Sequence, residues 1–291
     1  MTHLDPVTTI PECCIIRMPA VHSLPVVFAS PHSGRRYPRH FLATTRLDEA
    51  TLRRSEDSYV DDIFGGAPDH GAPLIAATFP RAYCDVNREA WELDPAMFED
   101  ALPPWVNTTS ARVGAGLGMM ARVVANGEAI YGIRLRFADA QARVKTCWQP
   151  YHDALTRLVD LTVARFGLCL LVDCHSMPSS ATIRNKPPPD IVLGDVHGAA
   201  CAASITRALD RFYTQAGYAT RRNDPYAGGY VARHYGRPHR QVHAIQIEMA
   251  RALYMDEQTL RPGPGLARLK ETASGLMRHL PFVLAALQAA E

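Results

Sequence analysis

Cys169-Leu170-Leu171-Val172-Asp173-Cys174-His175-Ser176 is a short apolar run that stops in polar chemistry. An apolar run of this length reads as a strand buried on both faces. Three further runs of the same kind lie at 24–29, 73–78 and 243–247. Between them stand longer amphipathic stretches at 51–64, 139–166, 198–217 and 265–291, which read as helices. In 51–64, Leu52, Tyr59 and Ile63 lie near one face, with Arg53, Arg54, Glu56 and Asp61 elsewhere. Strands alternating with helices predict an α/β domain built on a largely parallel sheet.

In open α/β sheets, ligands bind outside the carboxyl ends of the strands. Four of these segments lead into reactive side chains. The first run ends in Ser30-Pro31-His32-Ser33-Gly34, and the third in Asp173, His175 and Ser176. The fourth ends in Glu248, and the second leads into Arg81, Tyr83, Asp85, Asn87 and Arg88. A histidine at a strand end is more often hydrogen-bonded scaffold than a ligand. Two of them after separate buried strands, with a glutamate after a third, also fit a catalytic zinc site. Such a site takes three protein ligands and leaves one position for water. Glu248 is then the group that accepts the water's proton. Arginines in a loop usually face solvent. Beside Asp85 and Tyr83, however, a guanidinium and an amide side by side suit bidentate capture of a carboxylate, which points to a small anionic substrate.

Composition narrows the function classes. The chain has 291 residues, of which 47% are hydrophobic and 21% charged, enough for a sizeable core and too few charges for a disordered chain. Lys+Arg 31 against Asp+Glu 29 gives net +2, which removes the electrostatic case for nucleic acid or an anionic membrane. No apolar run reaches the ~18 residues of a membrane span, and 1–14 lacks the pattern of a secretory signal. The 7 cysteines include no C-x-x-C pair and read as reduced thiols of a cytoplasmic protein. No G-x-S-x-G occurs, and Gly114-Ala115-Gly116-Leu117-Gly118 is not a dinucleotide fingerprint. Cys174 and His175 point to opposite faces of a strand, which disfavours a Cys-His nucleophile pair. On composition, 223–230 is a plain turn. No linker interrupts 1–291, so a single domain is expected, with an irregular Pro/Gly-rich insert at about 91–136.

Several strings are longer and more specific: SPHSGRRYP (30–38), SEDSYVDDIF (55–64), FPRAYCDVNRE (79–89), ELDPAMF (92–98), PYH (150–152), DCHSMP (173–178), DIVLGD (190–195), NDPYAGGYV (223–231) and QIEMARALYMDE (246–257). Together they resemble the N-formylglutamate amidohydrolase family over about 25–257. The resemblance implies hydrolysis of N-formyl-L-glutamate to L-glutamate and formate, a step of histidine degradation. It also implies one divalent metal per chain, zinc first. The implied architecture is three-layer α/β/α with a mixed, mostly parallel central sheet, similar to that of zinc carboxypeptidases (phosphorylase/hydrolase-like) and aspartoacylase.

By that resemblance, His32 and His175 are metal ligands and Asn87 with Arg88 is a carboxylate clamp. Arg81 polarises the carbonyl or binds a second carboxylate, and Glu248 is the general base. One element departs from the carboxypeptidase pattern: Arg35 stands where a ligating glutamate is wanted. The acidic ligand is therefore expected from 51–64. Asp57 is preferred, on a helix face shared with Val60 and Asp61, and Glu56 is its rival. Asp173, two residues before His175 on the same strand face, is placed to orient it or to ligate the metal itself. Ser33, Tyr226, Tyr230 and Arg233 are the remaining expected substrate contacts, with Arg222 and Arg237 as rivals of Arg233 for a second carboxylate. A zinc-dependent deacylase or carboxypeptidase acting on another N-acyl amino acid or small peptide is the alternative. A non-catalytic relative is disfavoured by the presence of the whole residue set.

Overall fold

The apolar runs do become strands, and a computed structural model places them side by side. It describes residues 7–11, 13–124, 127–182 and 187–289. In chain order the strands are β1 (Val7–Ile10), β2 (Cys14–Arg17), β3 (Val26–Ser30), β4 (Leu74–Ala77), β5 (Cys169–Met177), β6 (Ile191–Gly194), β7 (Thr220–Arg222) and β8 (Val242–Ala250). The helices are α1 (Arg39–Leu42), α2 (Glu49–Arg53), α3 (Val60–Ile63), α4 (Ala111–Gly114), α5 (Phe137–Arg143), α6 (Gln149–Phe166), α7 (Ala203–Gln215), α8 (Tyr230–Tyr235) and α9 (Gly265–Gln288).

The strands form one mixed sheet of order β1-β2-β4-β3-β5-β8-β6-β7. The central four, β4, β3, β5 and β8, are parallel. β1 and β2 add antiparallel strands at one edge. On the other side β6 runs antiparallel to β8, and β7 parallel to β6. The central strands are buried throughout, which is why they read as continuous apolar runs rather than alternating ones.

Alternate residues of these strands feed two separate cores. Val27, Ala29, Ile75 and Leu171 pack on one face with Tyr151, Leu155, Leu158 and Val159 of α6. Phe28, Leu74, Leu170, Val172 and Ile247 pack on the other with Ile205 and Leu209 of α7 and Leu276, Leu280 and Leu284 of α9. Buried Leu, Val or Ile side chains contribute about 1.5–3 kcal/mol each relative to exposure. The result is the expected α/β fold, with helices on both faces of the sheet.

Two helical expectations change. The stretch 139–166 is α5 and α6 joined by a π-helical turn, Val144–Trp148. That turn brings Trp148 Nε1 to the carbonyl of Arg88, at 2.9 Å. The stretch 51–64 is not one helix. α2 ends after Arg53, and α3 begins only after Tyr59, whose φ of 66° breaks the helix. Between them the Asp57 amide is captured by the His32 carbonyl at 3.0 Å. Asp57 therefore sits in a connection, not on a helix face with Val60 and Asp61. The stretch 91–136 is irregular, as expected, and is docked firmly. The Asp85 amide donates to the Met119 carbonyl at 2.7 Å. Buried Arg143 donates to the Tyr83 carbonyl at 2.8 Å and to the Tyr131 hydroxyl at 2.6 Å.

Candidate active site

The parallel strands β3, β4, β5 and β8 deliver their polar residues to one edge of the sheet. His32 follows β3, and Arg81 and Asp85 follow β4. On β5, Leu171 belongs to the core while Asp173 and His175 continue the same face into the site. Cys174 between them points to the opposite core, as its strand position predicts. On β8, Gln246 lies opposite Asp173 and Glu248 opposite His175.

His32 Nδ1, His175 Nδ1 and Asp57 Oδ2 form a small triangle. The sides are 3.1 Å between the rings, 3.3 Å from His32 to Asp57 and 3.0 Å from His175 to Asp57. A tetrahedral zinc with bonds of about 2.0–2.1 Å spaces its ligands about 3.3 Å apart. The far ring nitrogens are held by carboxylates: His32 Nε2 by Asp85 Oδ1 at 2.7 Å, and His175 Nε2 by Asp173 Oδ2 at 2.9 Å. Assigning the Nε2 protons to those bonds leaves both Nδ1 lone pairs aimed at the Asp57 oxygen. Three acceptors this close repel one another unless positive charge sits among them. The donor set, the spacing and the supporting carboxylates therefore fit a divalent cation, and these three are the cation-ligand cluster among the described residues.

The electrostatics agree. Burial opposes ionisation of Asp57, but the His175 and His32 rings facing it outweigh that and hold the carboxyl well below the usual carboxylate range. Burial likewise opposes ionisation of Asp85, and the charges of Arg81 and Arg88 with the hydrogen bond from His32 overcome it. Both carboxylates stay charged. Arg251 also supports Asp57, donating to its Oδ1 at 3.1 Å, to the Arg54 carbonyl at 2.8 Å and to Ser176 Oγ at 3.2 Å.

The triangle opens into a cleft of about 600 Å³. Its walls carry Arg81, Arg88, Arg112, Arg233, Arg251, Tyr226 and Glu248. Burial pushes the Glu248 carboxyl up to about 7, against the pull of His175. Its orientation is set by Gln246, whose Nε2 donates to Glu248 Oε1 at 2.8 Å. The Gln246 carbonyl oxygen accepts from the Gly229 amide at 2.7 Å, which fixes which end of the amide faces Glu248. Arg81 Nη2 donates to Asp85 Oδ2 at 2.7 Å, so the guanidinium stands one carboxylate away from His32.

Residues 24–255 match the family model of N-formylglutamate amidohydrolase. The chain belongs to the N-formylglutamate amidohydrolase family. It is 29% identical to an N-formylglutamate deformylase of Pseudomonas putida over 238 residues, covering 80% of this chain and 83% of that one. An N-formylglutamate deformylase of Pseudomonas aeruginosa is 28% identical over 261 residues, 88% of this chain and 91% of that one. The crystal structure of the N-formylglutamate amidohydrolase from Ralstonia eutropha superposes with a TM-score of 0.88 at 34% identity, covering 96% of this chain and 99% of that one.

In this N-formylglutamate amidohydrolase family member, several residues predicted from sequence lie elsewhere than expected. Glu56 turns away from the histidines and accepts from the Tyr37 hydroxyl at 2.8 Å, leaving Asp57 to meet them. Ser33 is buried but does not line the cleft. Its hydroxyl donates to the Asp57 carbonyl at 2.9 Å and accepts from the Asp61 amide at 3.1 Å, so it shapes the loop rather than facing substrate. Tyr230 packs against Trp148, His152 and His234, outside the cleft. Asn87 does reach the cleft, yet its amide is committed within the protein. Nδ2 donates to Asp173 Oδ2 at 3.2 Å and Oδ1 accepts from the Val231 amide at 2.8 Å. It therefore positions Asp173 and α8, and Arg88 is the half of the pair whose charge faces the cleft.

Arg233 and Tyr226 line the wall as expected. Of the rivals, Arg222 is bound to Asp210 and Arg237 to the carbonyls of Arg233 and Gly236. Sequence reasoning missed Arg251, Gln246 and Arg112. The first two sit on or just after β8 beside Glu248, where the rule that found Glu248 finds them too. Arg112 lies in the irregular insert and carries no such signal.

Proposed function

We propose that the chain hydrolyses N-formyl-L-glutamate to L-glutamate and formate, with His32, Asp57 and His175 holding one divalent cation, zinc first. The observation that carries this reading is the Nδ1–Nδ1–Oδ2 triangle beside Glu248 in an arginine-lined cleft. When bound, the cation supplies a Lewis acid that polarises the formyl carbonyl and makes water acidic enough to ionise near neutral pH.

The protein's own groups do the rest. Glu248 takes the proton from the attacking water, aims the oxygen at the formyl carbon and later hands the proton to the leaving amine. The Gln246 hydrogen bond holds the carboxylate in that orientation. Arg81 faces the formyl oxygen and shares the negative charge it gains; one such donor is worth about 3 kcal/mol. Arg88 holds the carboxylate next to the scissile amide, and Arg233 adds positive charge from the cleft wall. Tyr226 closes the site and donates its hydroxyl to a substrate carboxylate. Asp85 and Asp173 keep the two imidazoles in the tautomer that leaves Nδ1 free for the cation.

The reaction suits a cytoplasmic step of histidine degradation carried out by one catalytic domain spanning 1–291. Among the described residues, no helix is long and apolar enough to cross a membrane. The arginine-lined cleft would also accept other anionic N-acyl amino acids, which keeps a broader deacylase as the second reading.

Formate release from N-formyl-L-glutamate, measured with and without a chelator and after zinc add-back, tests the reading. Release that disappears with the chelator and returns with zinc supports it. Metal bound at one per chain without release overturns the substrate. Equal rates on N-acetyl- and N-succinylglutamate favour the broader deacylase.

A further inference from the structure

The insert at 91–136 brings a cation to the cleft that the assigned roles leave unused. Arg112 is carried by α4, whose start is capped by Ser110 Oγ accepting from the Val113 amide at 3.1 Å. The segment after α4 is pinned to the loop that carries Arg88: Arg88 Nε donates to the Leu117 carbonyl at 2.9 Å, and the Met119 amide donates to the Glu92 carbonyl at 2.9 Å. Gly118 lies so close to that loop that a Cβ would meet the Glu92 carbonyl oxygen at 2.2 Å. The insert thus holds Arg112 at a set place on the cleft wall.

The cleft's arginines differ in how far their charge is already used. Arg251 is paired with Asp57, and Arg81 with Asp85 while it still lines the cleft. Arg88 is anchored through two carbonyls and has no carboxylate of its own among the described residues. Among the described residues, Arg112 pairs with Glu92 at 3.9 Å, beyond hydrogen-bond reach. Arg88 feels two like charges in the cleft wall, Arg81 and Arg112. Burial lowers its pKa, and Arg81 and Arg112 lower it further against the opposing pull of Asp85. Arg81 instead feels Asp85, Asp57 and Glu248, the groups around the cation triangle. Hydrogen bonds give the order of the three guanidinia outward from the triangle: Arg81 stands one carboxylate from His32, Arg88 is bonded to the insert at Leu117, and Arg112 stands on the insert itself. Crowding of like charge in a cleft is relieved by an anion with more than one carboxylate.

We infer that Arg112 is a specificity-determining residue that binds the side-chain carboxylate of a dicarboxylic N-acyl amino acid, with Arg88 taking the carboxylate next to the amide. This deepens the proposed deformylase function and rests on it. In the substrate the side-chain carboxylate is farther from the amide along the chain, matching the outer place of Arg112.

The test is steady-state kinetics of the zinc-loaded protein on N-formyl-L-glutamate and on its neutral isostere N-formyl-L-glutamine, for wild type, Arg112→Ala, Arg112→Lys and Arg233→Ala. A hydrogen-bonded charge pair predicts that Arg112→Ala loses about 10- to 100-fold in kcat/KM on formylglutamate, mainly through KM. Its kcat/KM on formylglutamine should stay within about 2-fold, and Arg112→Lys should recover part of the glutamate preference. Equal losses on both substrates would assign Arg112 a merely structural role and overturn the inference. So would an unchanged glutamate-to-glutamine ratio, or a charge-selective loss in Arg233→Ala alone. Wild-type protein that releases no formate from formylglutamate overturns the deformylase reading itself, and the inference falls with it.

Discussion

Arg251 Nη2 donates to Asp57 Oδ1 at 3.1 Å, while the other oxygen of that carboxylate faces both His32 and His175. One carboxylate thus joins the end of β8 to the histidines that follow β3 and lie on β5. Both partners are buried, at 7% and 1% side-chain exposure, so neither can be removed without stranding the other.

Arg251→Ala therefore acts on cation affinity and on stability together. Loss of a ligand's supporting partner typically costs 10- to 100-fold in metal affinity. Breaking a buried pair costs roughly 3–5 kcal/mol of stability. Zinc competition against a chromophoric chelator and urea unfolding of the same variant measure the two effects. Wild-type zinc affinity in Arg251→Ala would remove Arg251 from the support of Asp57.

Glu248→Gln keeps the volume and removes the base. Zinc content stays at the wild-type value and kcat falls by about 10²- to 10⁴-fold. The same group sets the acid limb of activity. Burial pushes Glu248 up to about 7, and the base works only when deprotonated, so kcat/KM falls as pH drops through that region. A bound cation adds positive charge nearby and moves the limb to lower pH. A pH–rate profile of the zinc enzyme locates it, and a profile flat down to pH 4 would take Glu248 out of the proton path.

Asp85→Asn tests the carboxylate behind His32. Asp85 Oδ1 accepts from His32 Nε2 at 2.7 Å and from the Asn87 amide at 2.9 Å, and Oδ2 accepts from Arg81 at 2.7 Å. The amide loses one charge opposite two partners. Zinc affinity should drop about 10- to 100-fold. kcat should fall as Arg81 loses its anchor. Titration of zinc binding, followed by kinetics at saturating zinc, separates these effects.

His152 gives the fold its own pH dependence. It is buried between the Val86 carbonyl, at 2.8 Å, and the Tyr235 hydroxyl, at 3.0 Å. Burial lowers its pKa from 6.5 to about 4. A depressed histidine contributes stability that is full above pH 6.5 and is lost as pH falls from there toward 4. The integrated loss is about 3 kcal/mol. Urea unfolding of wild type and His152→Gln at pH 7.5 and pH 4.5 checks it, with the gap between the two proteins narrowing in acid.

Much of the site could be read along the chain because strand ends carry it. An apolar run followed by His32, by Asp173 and His175 or by Glu248 says that a buried strand stops at chemistry, and the period of two places Cys174 on the other face. The segment around Asp57 could not be read this way. Its helical pattern is real, but the helix breaks at Tyr59 and the His32 carbonyl captures the Asp57 amide, a contact 25 residues away in sequence.

The same limit applies to the side chains around the site. Ser33, Tyr230 and Asn87 have the chemistry to bind substrate, yet Ser33 and Asn87 spend it on the protein and Tyr230 stands outside the cleft. Ser33 holds the Asp57 backbone, Tyr230 packs on aromatic rings, and Asn87 bridges Asp173 and α8. Sequence determined the layered α/β fold, the edge of the sheet that carries the site, and the kinds of group found there. Only tertiary structure decided which carboxylate meets the histidines, which arginines keep their charge for a ligand, and that the insert supplies Arg112. Local periodicity reports what a segment buries, whereas a polar side chain points wherever its distant partners satisfy it.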